Sequence, residues 1–236
     1  MQVQAQVIRI GISAAYEPFE FRNAKRHIIG FDVDIAKAVC AELKWSCIFS
    51  DHAFDTLISK LEKNQIDLIV SAFDITPEAS ERVKFSTPYF HSGAFLIAAK
   101  ARFKTATDLQ GKSVGVLKGR IHETYIDQNF PGFDIKEYNH IPTSFKDLIS
   151  GSLDAVFVDD SIGTEFLKKN PNFEVVGDMI KDKSYFEGGF AIAARLDEDE
   201  RIAMINTALE NITVSGKYQE IYDTWFSDIE WLSINE

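Results

Sequence analysis

The chain has 236 residues, with 25 Lys and Arg against 36 Asp and Glu for a formal net charge of −11. That length is roughly 1.6 times an ordinary domain of about 150 residues, which allows one large domain or two ordinary ones, and 45% hydrophobic with 12% aromatic residues suffices for a sizeable core. A pI of about 5.0 withholds the basic footprint that nucleic acid or an anionic membrane surface would need and mildly favours a cationic small ligand.

In chain order, Val7 to Ile12 reads as a strand. Apolar Phe31, Ile35, Val39 and Leu43 then recur every four residues and predict a helix over Asp34 to Leu43, capped by Asp32 or Asp34. Trp45 to Phe49 reads as a strand, Asp55 to Glu62 as a helix and Ile66 to Ala72 as a buried strand. The apolar run Gly93 to Ala99 is the length of a buried strand and far short of the roughly 20 residues that span a bilayer, so no direct membrane insertion is expected. Past Pro88 the grammar restarts: strand Ser113 to Leu117, helix Ile121 to Asn129, strand Ile135 to Tyr138, helix Phe145 to Ser150 and strand Ala155 to Val158. A strand over Ala191 to Ala194 and a helical stretch over Glu198 to Phe226, interrupted at Ser215-Gly216, complete the chain. This alternation predicts an α/β fold with mostly parallel pairing, whose ligands bind beyond the carboxyl ends of the strands.

The halves echo each other. Phe54-Asp55-Thr56-Leu57-Ile58 leading to Ile66-Asp67-Leu68-Ile69-Val70 has a counterpart in Phe145-Lys146-Asp147-Leu148-Ile149 leading to Leu153-Asp154-Ala155-Val156-Phe157-Val158. The echo supports two similar lobes joined by strands rather than by a flexible linker, with a single doubly wound domain as the alternative.

Cys40 and Cys47 would stand about 10 Å apart on one continuous helix, too far for a bridge, so a disulfide requires the helix to end between them; two buried thiols are the other reading. The five histidines are scattered without ligand spacing to the cysteines, so no metal or other cofactor is expected. Gly111-Lys112-Ser113 lacks the earlier glycine of a phosphate loop, having Ala106 there, and precedes a strand instead of a helix. No nucleophile elbow or paired-histidine motif is present. Met1 to Gln6 has neither a basic head nor an apolar run, so no secretory signal is legible there.

Gly30-Phe31-Asp32-Val33-Asp34-Ile35, followed by Val39, Cys40 and Leu43, resembles the signature of the substrate-binding proteins of bacterial polar amino-acid ABC transporters, particularly the arginine and lysine/arginine/ornithine binders. The resemblance extends through Arg9-Ile10-Gly11, Tyr16-Glu17-Pro18-Phe19, Ala53-Phe54-Asp55, Asp74-Ile75-Thr76-Pro77-Glu78, Phe85-Ser86-Thr87-Pro88-Tyr89, Leu109 to Val116, Leu153-Asp154-Ala155 and Gly216-Lys217-Tyr218. It implies two α/β lobes of the type II periplasmic-binding-protein, or Venus-flytrap, fold: residues 1–92 with 190–236, and residues 93–189. It also implies a Cys40–Cys47 disulfide, a periplasmic protein whose signal peptide has been removed, an ABC permease as partner and a monomer. The crossings would lie near Ser92-Gly93 and Gly188-Gly189, where glycines absorb hinge rotation as the lobes close on ligand.

The resemblance also implies a site. Tyr16 and Phe54 would sandwich the ligand side chain, a cation between two rings gaining about 1 to 2 kcal/mol when desolvated. Core packing is the plain reading for Phe54, and Tyr16 resists that reading. Asp159 would hold the α-ammonium, with helix capping as its plain alternative. Ser71, Ala72 and Asp74 would face the cleft after their strand, joined by Ser13 and Leu117. Relatives clamp the α-carboxylate with an arginine where this chain has Ala79 and a threonine where it has Ile121. Arg120, at the start of that helix, is the expected replacement; Arg82 is a third candidate better suited to the surface. A ligand without an α-carboxylate is the other solution, and Ser13, where some relatives carry an acid, weakens arginine specifically. The expected function is capture of a small cationic amino acid or derivative without catalysis. The rivals are an enzyme like the cyclohexadienyl dehydratases, for which Glu187 near a crossing is of interest, and a sensory or adhesive use of the same clamshell.

Overall fold

The computed structural model describes residues 5–186 and 188–226. The first stretch holds β1 Val7–Ile12, β2 Ala15–Tyr16, β3 Glu20–Arg22, β4 Ile28–Ile29, α1 Phe31–Glu42, β5 Ser46–Asp51, α2 Leu57–Glu62, β6 Leu68–Ile69, α3 Pro77–Ser80 and β7 Val83–Phe85. The middle holds β8 Ala94–Ala99, β9 Ser113–Leu117, α4 Ile121–Asn129, β10 Asp134–Tyr138, α5 Ile141–Ser150, β11 Ala155–Asp159, α6 Asp160–Lys169, β12 Phe173–Val175 and α7 Lys183–Phe186. Then follow β13 Ala193–Arg195, α8 Asp199–Val214 and α9 Lys217–Phe226. The chain divides into two compact units, Met1–Phe90 with Gly188–Glu236, and His91–Glu187.

In the first unit the sheet order is β5-β1-β6-β13-β7, with β1 parallel to β5 and β6, while β13 runs antiparallel to β6 and β7. A small antiparallel sheet of β2, β3 and β4 stands beside it. The second unit repeats the plan: its order is β10-β9-β11-β8-β12, with β9 parallel to β10 and β11, and β8 antiparallel to β11 and β12. Each unit therefore contains strand, helix, strand, helix, strand, with the first strand lying between the other two. This is the echo legible in the sequence. Glycine recurs on both inner strands because side chains from the turns before β6 and β11 press against the sheet there: a Cβ at Gly11 would lie 2.3 Å from Ile66 Cδ1, and one at Gly115 2.6 Å from Leu153 Cδ2.

Local chemistry moves several boundaries. Helix α1 starts at Phe31, not Asp34, and its N-cap is Gly30, with no side-chain cap from Asp32 or Asp34. Gly30 has φ 138° and a Cβ there would be 2.1 Å from the Phe19 carbonyl oxygen, so only glycine fits. Helix α5 starts at Ile141 instead of Phe145 because Pro142 falls in its first turn, where a missing N–H costs nothing. The predicted strand Ile66 to Ala72 contracts to β6, although Asp67 N–H to Arg9 O and Val70 N–H to Gly11 O continue its pairing with β1. Gly188 is held by close approach, since a Cβ there would be 2.4 Å from Ile75 O.

The first unit packs around rings: Phe19 meets Phe90 and Phe190 edge to face at 5.0 and 5.1 Å, and Phe31 meets Phe226 at 5.2 Å. Each such pair adds about 0.5 to 1.5 kcal/mol beyond area burial. The second unit packs Leu96, Val114, Val116, Ile126, Ala155 and Phe157 between sheet and helices.

Cys40 in α1 and Cys47 in β5 form a disulfide, with Cα atoms 6.3 Å apart. The helix ends at Glu42, between them, as the bridge requires. A loop this short constrains the unfolded chain by about 2.5 kcal/mol. Reduction is expected to lower the melting temperature by roughly 5 to 10 °C, read by calorimetry with and without reductant; an unchanged transition would show that the bridge does not stabilise the fold.

Candidate functional site

In an open α/β sheet, the loops leaving two adjacent parallel strands diverge where one connection goes to each side, and the gap at their carboxyl ends accepts ligand. In the first unit that point lies between β1 and β6, and in the second between β9 and β11. Ser13 follows β1, Ser71 and Ala72 follow Val70 at the end of β6, Arg120 follows β9, and Asp159 ends β11.

In the first unit, Ser13 N–H donates to Ser71 Oγ at 2.9 Å, and the Ser71 hydroxyl donates to Glu20 Oε1 at 3.0 Å. Ala72 stands at φ +40°, a conformation that L residues resist, and its N–H donates to Asp32 Oδ2. The Tyr89 hydroxyl donates to the same oxygen at 2.8 Å. Glu20 and Asp32, both 0% exposed, thus fasten the loop after β6 from below. Asp74, half-buried at the loop's far end, bridges to Phe190.

The aromatic pair reverses its expected ranking. Tyr16, which resisted a core reading, is 2% exposed and stacks on Phe19 at 5.7 Å. Phe54 is only half-buried and meets Phe73 edge to face at 5.7 Å, on the margin of a core containing Leu57, Leu61 and Ile69.

In the second unit, Leu117 is buried, and Gly119, at φ +73°, donates its N–H to the Glu123 carboxylate in the first turn of α4. This closes the loop so that Arg120, the N-cap residue, is 3% exposed. Ile121 packs against the unit's hydrophobic core. His122 is buried with its ring 5.3 Å from that of Phe157 and 5.5 Å from that of Phe186. Asp159 is 1% exposed; it precedes α6 but its side chain makes no capping bond, so the capping reading is set aside. Its Oδ1 lies 3.5 Å from His122 Nε2, and its buried Oδ2 has no hydrogen-bond partner among the described residues. Burial and then Asp160 push the Asp159 carboxyl well above the usual carboxylate range. Burial and then the Arg120 charge push the His122 imidazole down to about 3. Beside Asp159, Asp160 lines a recess of about 360 Å³ with His91, Ser92 and Lys181, and accepts the Ser92 hydroxyl at 2.6 Å.

Of the positions weighed for a carboxylate clamp, Ala79 is buried among Leu57, Leu61, Phe73 and Val83. Arg82 forms a two-pronged ion pair with Glu62, Nε to Oε1 at 2.9 Å and Nη2 to Oε2 at 2.8 Å, on the exposed surface expected of it. Glu20, Tyr89 and His122 were not singled out from sequence. A lone acid between Phe19 and Phe21 was the available signal for Glu20, because a charge on an otherwise apolar strand must be paired once buried. Glu187 lies outside the described residues.

Two mixed sheets of the same plan, each with its polar residues gathered at a switch point, define the two-lobed type II solute-binding fold. The chain belongs to the bacterial extracellular solute-binding proteins, family 3, whose model matches residues 8–228. It is 41% identical to the ABC transporter arginine-binding protein 1 of Escherichia coli K12 over 94% of this chain and 91% of that protein. Among solved structures it is similar to a Salmonella typhimurium periplasmic binding protein of high arginine specificity, with a TM-score of 0.85, 34% identity, and coverage of 94% of this chain and 100% of the other. It is also similar to an ancestral amino-acid-binding protein that is a precursor of cyclohexadienyl dehydratase, with a TM-score of 0.83, 28% identity, and coverage of 93% and 95%.

Replacing Ser71 by Ala removes an acceptor from Ser13 N–H and a donor from Glu20, both buried. Stability should fall by about 1 to 3 kcal/mol, measured by urea denaturation; a midpoint equal to wild type would show that this relay does not hold the loop.

Proposed function

We propose that this protein is a periplasmic receptor that captures a small cationic amino acid, of the arginine, lysine and ornithine kind, or a close derivative, and presents it unaltered to an ABC permease. The observation that carries this reading is Asp159, a carboxyl buried at a switch point with Oδ2 unmet among the described residues. An isolated buried carboxylate costs several kcal/mol, and a ligand ammonium both neutralises it and supplies its hydrogen bonds. Asp74 adds a second acid, consistent with a cationic side chain.

The remaining roles follow from chemistry. Tyr16 and Phe54 offer ring faces to a guanidinium or alkyl-ammonium. Ser13, Ser71 and Ala72 present short polar groups and main chain on the loops beside them. Arg120 and the N–H groups opening α4 take the α-carboxylate, with Leu117 and Ile121 as apolar wall. Affinity near 1 μM corresponds to about −8.2 kcal/mol, within reach of two ring contacts and several charge-assisted hydrogen bonds. The protein acts as a monomer and without turnover, and relatives named as binding proteins support the absence of turnover. Incubation with prephenate or arogenate should return both unchanged by chromatography, and product formation would overturn that part.

A second reading is favoured by Ala79, Ile121 and the engaged Arg82, which together remove the side chains expected on an α-carboxylate. On it, the ligand is a decarboxylated amine such as agmatine. A melting panel of arginine, lysine, ornithine, histidine, glutamine, agmatine and putrescine decides. Ligand at 100 times its Kd should stabilise by about 2.7 kcal/mol. Arginine should outrank agmatine, and Arg120→Ala should remove that preference; agmatine binding more tightly would replace the first reading with the second.

A further inference from the structure

We propose that His122 is the positioning residue of the ammonium site: it holds Asp159 Oδ1 through Nε2, and it lets the carboxyl exchange its own proton for the ligand's positive charge, so that capture of a cation releases a proton. This rests on the reading of Asp159 as the ammonium ligand. The geometry points there because three buried polar atoms lacking a partner among the described residues, His122 Nε2, Asp159 Oδ2 and Ser161 Oγ, come from the opening of α4, the end of β11 and the opening of α6. His122 Nε2 stands 3.5 Å from Asp159 Oδ1, too long for a formed hydrogen bond and short enough to become one when the pocket fills.

The charged groups around the pair decide its protonation. On the α4 side Arg120 opposes an imidazolium, and on the α6 side Asp160 opposes a carboxylate. Strand β8 pairs Asp159 with Ala94, the buried residues of β9 are Val114 to Leu117, and those of α5 are Ile141, Ser144, Phe145 and Leu148. Helix α7 offers the Phe186 ring. The titratable groups nearby are Tyr125, whose ring packs on Phe157 and Phe186, and His91, Lys181 and Lys183, which line the recess that holds Asp160 and Phe186. Burial and these neighbours favour the neutral imidazole and the neutral carboxyl before a cation arrives. A neutral imidazole presents either a lone pair or an N–H at Nε2. At 3.5 Å it makes no bond to the carboxyl as it stands, and it donates to the carboxylate once an ammonium has arrived. The proton balance closes: the carboxyl O–H breaks, its proton leaves to solvent, and the ligand's charge takes its place.

Binding needs the carboxylate, so affinity rises with pH below the raised carboxyl pKa, by at most about tenfold per pH unit for one proton, and levels off above it. Titration calorimetry in buffers of different ionisation enthalpy, between pH 5 and pH 8, counts the protons, using whichever of arginine and agmatine binds more tightly. Close to one proton per ligand at pH 5, declining toward zero with rising pH, is expected. His122→Phe, which keeps a ring between Phe157 and Phe186, should weaken binding at least tenfold and move the plateau to higher pH. His122→Gln, which places a neutral donor and acceptor at the Nε2 position, should restore both. Asp159→Asn should weaken binding at least a hundredfold. If Asp159→Asn binds as wild type, the ammonium reading itself fails. If it loses binding while wild type releases no proton at any pH, or His122→Phe keeps the wild-type affinity and profile, the role given to His122 is wrong and the ligand reading stands.

Discussion

A carboxyl removed from water must find donors or a cation, and three such groups organise this protein. Glu20 takes the Ser71 hydroxyl, and Asp32 takes the Ala72 N–H and the Tyr89 hydroxyl. Each gives one carboxylate oxygen to the fold, holding a loop whose backbone would otherwise relax from the strained conformation at Ala72. Asp159 Oδ2 meets no donor among the described residues, and its side chain does not cap α6. The difference is one of environment: two of the acids are tied into the loop after β6, and the third ends β11 where α6 begins.

The alternation of elements was legible because parallel strands in a covered sheet are continuous apolar runs, and the helices between them keep a four-residue apolar spacing. The repeated plan was legible for the same reason: the polar turn between helix and strand recurs in both halves. Boundaries were less so. Asp32 looked like a cap because acids favour helix starts, yet Gly30 occupies that place for want of room beside Phe19, and Asp32 turns inward instead. Pro142 lengthens α5 backwards, which apolar periodicity from Phe145 could not show.

For the site, the switch-point positions of Ser13, Ser71, Arg120 and Asp159 followed from strand order and from resemblance, and Arg82 sits on the surface where its spacing put it. The burial of Tyr16 and the half-exposure of Phe54 did not follow, because both are rings in short irregular segments whose neighbours are remote in sequence. Glu20, Tyr89 and His122 escaped for a related reason: their partners are 51, 57 and 37 residues away, and pairing across such distances is fixed by the fold and not by any local pattern.

Arg120 and Asp159 leave neighbouring strands of one sheet, β9 and β11. Ala79 is sunk in the other unit's core, whereas Arg120 and Asp159, both buried, belong to the segment between residues 91 and 187. One folding unit thus carries both an arginine and an acid at the carboxyl end of its sheet. Because both leave one sheet, their spacing is set by the pairing of β9 with β11 and is untouched by substitutions in the other unit.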